Sequence, residues 1–237
     1  MAGFETTQWS MIVASAGSDG ASQDALEKLC RFYRAPVLAF LRGKGMTVDE
    51  AEDLTQSFFA HLLSQRLHES ADPAKGSFRA FLLSALKHFV ISERRRVTAE
   101  KRGGGALHVP LESVAEPLGD ETPEMIFERE WAHTIVAHAV KQLQGEAREA
   151  GKHTLFNALR EFLFESPSVD DYARVSQQFG LSRNTVAVAV HRLRHRLHML
   201  VTAQVSQTLS DPAQVPAEVE TIQGWLIKPP RAPVRQM

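Results

Sequence analysis

Apolar residues recur at spacings of three and four along most of the chain, the period that lines one face of an α-helix. Asp24 to Phe40 is one such amphipathic run. A second carries Ala51, Leu54, Phe58 and Leu62 in its stripe, and Thr47-Val48-Asp49-Glu50 ahead of it has the form of a capping box. There the threonine hydroxyl accepts from the third amide while Glu50 reaches back to the cap. The pattern predicts a helix from about Val48 to Gln65. After the breakers Asp72-Pro73 and Gly76, the residues Phe78, Phe81, Leu82, Ala85 and Phe89 carry the same period. The three runs can bury their stripes against one another, which makes residues 1–102 one helical domain.

Gly103-Gly104-Gly105 interrupts this pattern. From Pro110 to Glu130 the chain holds three prolines and seven acidic residues against Arg129 alone, a composition too polar to bury much. Residues 103–130 therefore read as a flexible acidic linker that turns helical near Glu124. A second helical domain follows over residues 131–204. Residues 205–237 form a C-terminal extension with Ser210-Asp211-Pro212, a short amphipathic piece carrying Val219, Ile222 and Leu226, and a last ten residues expected to be disordered. The expected fold class is all-α: two small helical domains joined by the linker, the second with a helix-turn-helix.

That motif is the most informative stretch. Val169 to Phe179 reads as a short helix that stops at Gly180, a residue able to take the left-handed backbone of a tight turn. Leu181 can plug the space between two helices, and Ser182 is a good cap for the next one. Val186, Val190, Leu193, Leu197 and Leu200 then follow at spacings of four, three, four and three. Two helices joined in this way make the motif that lays its second helix in the DNA major groove.

Arg183, Asn184, Thr185, Ala187, Val188, His191 and Arg192 lie off the apolar stripe. Their chemistry suits base edges, because arginine pairs bidentately with guanine, asparagine with adenine, and small apolar groups meet a thymine methyl. Arg194 and Arg196, later in the helix, are expected at phosphates. A solvated basic face on a bundle helix is the competing reading, and the well-formed turn argues against it. His191, His195 and His198 have a spacing that brings three imidazoles together, but no Asp, Glu or Cys adjoins them to complete a set. No metal and no cofactor is expected.

Composition alone conceals this arrangement. The 237 residues are 43% hydrophobic, and 27 Lys and Arg stand against 28 Asp and Glu for a formal net charge of −1. The length allows one or two domains. Cys30 is the only cysteine, which excludes an intrachain disulfide and a Cys-based zinc site. No export signal and no apolar stretch of bilayer length is visible, so a cytoplasmic protein without membrane insertion is expected. Divided by segment, the charge is +6 over residues 75–105, −6 over 110–130 and +4 over 183–196. The neutral total is a cancellation between two basic regions and an acidic linker.

The first basic region interleaves Phe78, Phe81 and Phe89, rings able to stack on exposed bases, although Phe81 and Phe89 also fall at core spacing. The preceding helix opens with Asp49, Glu50, Glu52 and Asp53, which the helix dipole alone explains. Asp53, Gln56 and Ser57 nevertheless form a polar face beside Phe59, which falls off the stripe. An exposed aromatic beside polar groups marks a protein-binding spot.

Asp49 to Leu63 (DEAEDLTQSFFAHLL), Phe78 to Arg96 (FRAFLLSALKHFVISERRR) and Asp171 to Leu197 (DYARVSQQFGLSRNTVAVAVHRLRHRL), in that order, resemble bacterial sigma factors of the extracytoplasmic-function class. The resemblance covers about residues 22–102 and 131–200. It implies a non-enzymatic subunit that binds core RNA polymerase, directs it to promoters and assists melting. Asp53, Gln56 and Phe59 would grip the clamp helices of the β′ subunit, with the β subunit as a further contact. Lys87, His88, Arg94, Arg95, Arg96, Lys101 and Arg102 would meet the minus-ten element of promoter DNA. Arg183, Asn184, Thr185, Ala187, Val188, His191, Arg192, Arg194 and Arg196 would meet the minus-thirty-five element. Control by an anti-sigma factor or by the C-terminal extension stays open.

The family's frequent Arg-Asn-Leu stands here as Lys87-His88-Phe89, and residues 146–166 are longer than the family leads one to expect. A one-component helix-turn-helix regulator is the alternative. An enzyme is disfavoured, because the chain has no Gly-rich phosphate loop, HExxH or G-x-S-x-G.

Overall fold

The computed structural model describes residues 20–72, 76–102, 121–209 and 211–227, and every regular element among them is helical. Residues 103–120, which hold the glycine triplet and most of the expected linker, and the last ten residues lie outside the described ones. No described helix is long and apolar enough to cross a membrane. The chain divides into two compact units. One takes in the described residues up to Thr134 together with those from Ser206 onward, and the other is Ile135–Val205.

The first unit opens with α1 (Gly20–Gly43), which buries Leu29, Phe32, Tyr33, Val37, Phe40 and Leu41 at helical spacing. Helix α2 (Val48–Ser64) has its capping box in place, with the Glu50 amide donating to Thr47 Oγ1 at 3.3 Å and the Thr47 amide donating to the Glu50 carboxylate at 2.8 Å. Its buried residues are Ala51, Thr55, Phe58 and Leu62. Leu54, expected in that stripe, is half-buried. Thr55 takes the inward position because its hydroxyl donates to the Ala51 carbonyl at 2.7 Å, so that hydroxyl is satisfied within its own helix.

Helix α3 (Phe78–Arg102) buries Phe78, Leu82, Leu86, Phe89 and Val90, while Phe81 and Ala85 are half-buried. Phe78 meets Tyr33 of α1 edge-on at 5.4 Å, and Phe89 meets Phe58 of α2 at 5.5 Å. These ring pairs join the three helices through surfaces that are each worth about 1.5–3 kcal/mol per buried side chain. Cys30 of α1 is half-buried, and burial pushes its thiol up to about 11, so it stays protonated near neutral pH.

Helix α4 (Pro123–Glu149) starts where the acidic stretch is expected to turn helical, near Glu124, and its first turns are partly buried. That burial has a clear physical cause. Phe127 and Trp131, one turn apart, are buried, and two acidic residues of the same turns have cationic partners: Glu124 with Lys87 at 2.9 Å and Glu128 with Arg79 at 2.7 Å. A polar composition is buriable once its charges are paired from another helix. Gly43 makes the close approach possible, since a Cβ there would stand 2.8 Å from Ile126 Cδ1 and 3.2 Å from Pro123 Cα. Helix α8 (Val215–Ile227) completes this unit with Val215, Val219 and Ile222 buried.

The second unit contains the latter half of α4, α5 (His153–Leu159), a 3-10 turn (Arg160–Leu163), α6 (Val169–Phe179) and α7 (Arg183–Ser206). Leu159, Phe162, Val175, Val186 and Val190 form its core, with Leu155, Tyr172, Phe179, Leu181, Ala189 and Leu193 packed around them. The long segment 146–166 is thereby accounted for: α5 and the turn after it supply Leu159 and Phe162 to this core.

Candidate nucleic-acid interface

The joint between α6 and α7 is built by local chemistry. Ser168 and Asp171 form a capping box at the start of α6, with the Ser168 amide donating to the Asp171 carboxylate at 3.0 Å. The helix ends at Gly180, whose φ of 65° and ψ of 28° are left-handed, and the Gly180 and Leu181 amides both donate back to the Ser176 carbonyl. Leu181 packs against the core cluster. Ser182 then caps α7, its Oγ accepting from the Thr185 amide at 3.1 Å and lying 2.8 Å from the Thr185 hydroxyl.

This joint turns Val186 and Val190 inward and leaves the other side of the first turns open. Arg183, Asn184, Thr185, Val188, His191 and Arg192 are exposed, and Ala187 is half-buried. From Arg183 to Ser206 the helix holds no acidic residue. The later arginines have different surroundings. Arg194 donates to the Phe162 carbonyl at 2.8 Å and the Glu165 carbonyl at 2.6 Å, closing the end of the 3-10 turn. Arg196 makes a two-pronged pair with Glu146 of α4 at 2.6 and 2.9 Å. Hydrogen bonding from Arg196 holds the Glu146 carboxyl below its ordinary value, against the opposing pull of burial. Both arginines expected at phosphates are thus engaged inside the unit.

The exposed side of α7 also borders a groove of about 600 Å³. Leu155, Phe156 and Leu159 of α5 form part of its apolar lining, and Asn184, Val188 and Arg192 of α7 reach into the same space. Nothing in the sequence marks this groove, because its walls come from helices that only the fold brings together.

In the first unit Asp53 and Gln56 are exposed on one side of α2. Phe59 completes that side but is half-buried, its ring tilted against Phe58 at 5.4 Å. On α3, His88, Arg94 and Arg95 are exposed, Lys87 pairs with Glu124, and Arg96 pairs with Glu93 at 2.8 Å. Lys101 and Arg102 belong to the helix, but their side chains lie outside the described ones. The two basic regions fall in different units. Among the described residues no group of three or more His, Cys, Asp and Glu could hold a metal ion.

The sequence gives no warning of Arg79, which meets Glu128, Glu218 and Trp131 together. Its partners lie far along the chain, and no local spacing points to them.

No protein-family model, no curated protein and no solved structure matches the chain. The chemistry of the two surfaces is therefore read from their own geometry.

Proposed function

We propose that the chain is an RNA polymerase sigma factor of the extracytoplasmic-function type, a non-enzymatic subunit that binds core polymerase and directs it to promoters. The observation that carries this reading is the first half of α7. It presents Arg183, Asn184, Thr185, Val188, His191 and Arg192 on an acid-free helix behind a left-handed Gly180 turn. Arginine and asparagine read guanine and adenine edges in the major groove, and Val188 offers an apolar surface to a thymine methyl. Asp53, Gln56 and Phe59 serve as the polymerase-facing side of α2, and Arg94 and Arg95 as phosphate contacts near the melted minus-ten element. Taking a base out of the stack costs a few kcal/mol, which polymerase and phosphate contacts offset.

The test is capture of β and β′ subunits by the tagged full chain, followed by transcription from a promoter library with core polymerase. Gln56→Ala is the informative variant, since the residue is exposed and its loss leaves the fold intact. Capture is expected to fall at least tenfold, about 1.4 kcal/mol of binding. Wild-type chain that captures no polymerase sinks the reading.

The groove beside α7 favours one second reading, a one-component regulator. Its volume of about 600 Å³ lies in the range of small-molecule sites. Polymerase capture separates the two, because such a regulator binds DNA without the core enzyme.

A further inference from the structure

Arg79, at the start of α3, is the meeting point of three helices. Its Nε lies 2.7 Å from Glu128 on α4, its Nη2 lies 2.8 Å from Glu218 on α8, and its guanidinium carbon sits 4.0 Å from the centre of the Trp131 ring. The Arg79 and Glu218 side chains are only 13% and 16% exposed. Two turns along α3, Lys87 pairs with Glu124. Three carboxylates from α4 and α8 therefore sit on two cations of the basic helix. Val215, Val219 and Ile222, one helical turn apart in succession, are buried, so α8 is seated by apolar side chains as well as by charge. Burial, with the nearby Glu218 charge adding to it, lifts the Glu128 carboxyl above its ordinary value despite Arg79, as expected where two carboxylates share one guanidinium.

We propose that α8 is a latch: by sharing Arg79 with Glu128 it fastens the first turns of α4 along the basic helix, where Glu124 and Glu128 occupy cations that DNA phosphates would otherwise take. The competition with DNA rests on reading α3 as a DNA-facing helix, whereas the seating of α8 does not. Arg94 and Arg95, beyond the covered stretch, stay exposed as a first foothold for phosphates. The Lys87–Glu124 pair, with side chains 43% and 34% exposed, is the part that exchanges readily. The Arg79 cluster is the part that holds.

Glu218→Lys in the full chain places a cation against Arg79 and releases the latch. Amide-exchange protection over residues 215–227 is expected to fall at least tenfold, and affinity for a short DNA duplex of arbitrary sequence at low salt to rise about tenfold. Glu220→Lys makes the same charge change at an exposed position of the same helix, and should leave protection unchanged and affinity raised by no more than about twofold. Ile222→Ser removes an apolar anchor with no change of charge, and should reproduce both effects of Glu218→Lys even if that variant folds poorly. The latch is overturned if residues 215–227 keep their protection in Glu218→Lys and Ile222→Ser. Masking is overturned if the helix is released without a gain in DNA affinity, or if Glu220→Lys matches Glu218→Lys. Capture of polymerase by the same variants reports on the sigma reading separately.

Discussion

Arg192 and Arg194 stand two residues apart on α7 and do different work. Arg192 is exposed beside the groove, whereas Arg194 satisfies the Phe162 and Glu165 carbonyls. Arg194→Ala leaves those acceptors without their donor and should destabilise the chain by about 1–3 kcal/mol, seen as a lower urea midpoint. Arg192→Ala should hold the midpoint within about 0.5 kcal/mol while weakening binding to promoter duplex. The reverse pattern would mean that the two side chains have exchanged roles in solution. At Gly180 nothing stands within 4 Å of an added Cβ, so only backbone strain opposes a side chain. Gly180→Ala should cost about 1–2 kcal/mol, and Gly180→Asn less, because asparagine tolerates left-handed backbone. The glycine's task follows from its own chemistry and its neighbours. The division between the two arginines does not, since Arg194 finds one partner 32 residues away.

At the scale of the helix, α2 and α6 are both opened by capping boxes, of which the sequence announces the one at Thr47. The Thr47 amide and hydroxyl hold the Glu50 carboxyl below its ordinary value, and the Ser168 hydroxyl and amide do the same for Asp171. A carboxyl depressed in the folded state adds stability that is present above its unfolded value and is lost as pH falls through the folded one. Urea midpoints of the wild type should therefore drop on acidification below the usual carboxylate range. Glu50→Gln and Asp171→Asn together should flatten that slope, and an unchanged slope would show that the caps are open in solution. Packing gives a separate expectation. Leu159 of α5 lies in the core cluster under α6 and α7, so Leu159→Ala should cost about 2–5 kcal/mol. The stripe of α7 was legible from period alone. The inward Thr55 in place of Leu54 was not, because hydropathy carries no information about which polar group finds a carbonyl one turn back.

The near-zero net charge acquires a geometric meaning in the whole molecule. Acids that composition assigns to a solvated linker, Glu124 and Glu128, are paired with cations of the basic helix, and Glu218 from the far end of the chain joins them. Part of the cancellation between segments is thus made by contact. The division into two units has its own consequence. Gly43→Ala brings a methyl against Ile126 and Pro123, at a cost of about 1–3 kcal/mol for overpacking. Amide-exchange protection should fall across residues 20–102 and 215–227 and persist across 169–205. Equal losses in both sets would show that the chain unfolds as one cooperative body.

The sequence by itself determined the all-helical class, the capped start of α2, the left-handed stop at Gly180 and the inward stripe of α7. Each of these depends on residues within a turn or two of one another. Tertiary structure decided how the acidic start of α4 is paired and buried, which arginines are engaged and which exposed, that α8 belongs with the first unit, and that a groove borders α7. Those outcomes depend on partners tens of residues apart, whose meeting is set by how whole helices pack and pair their charges.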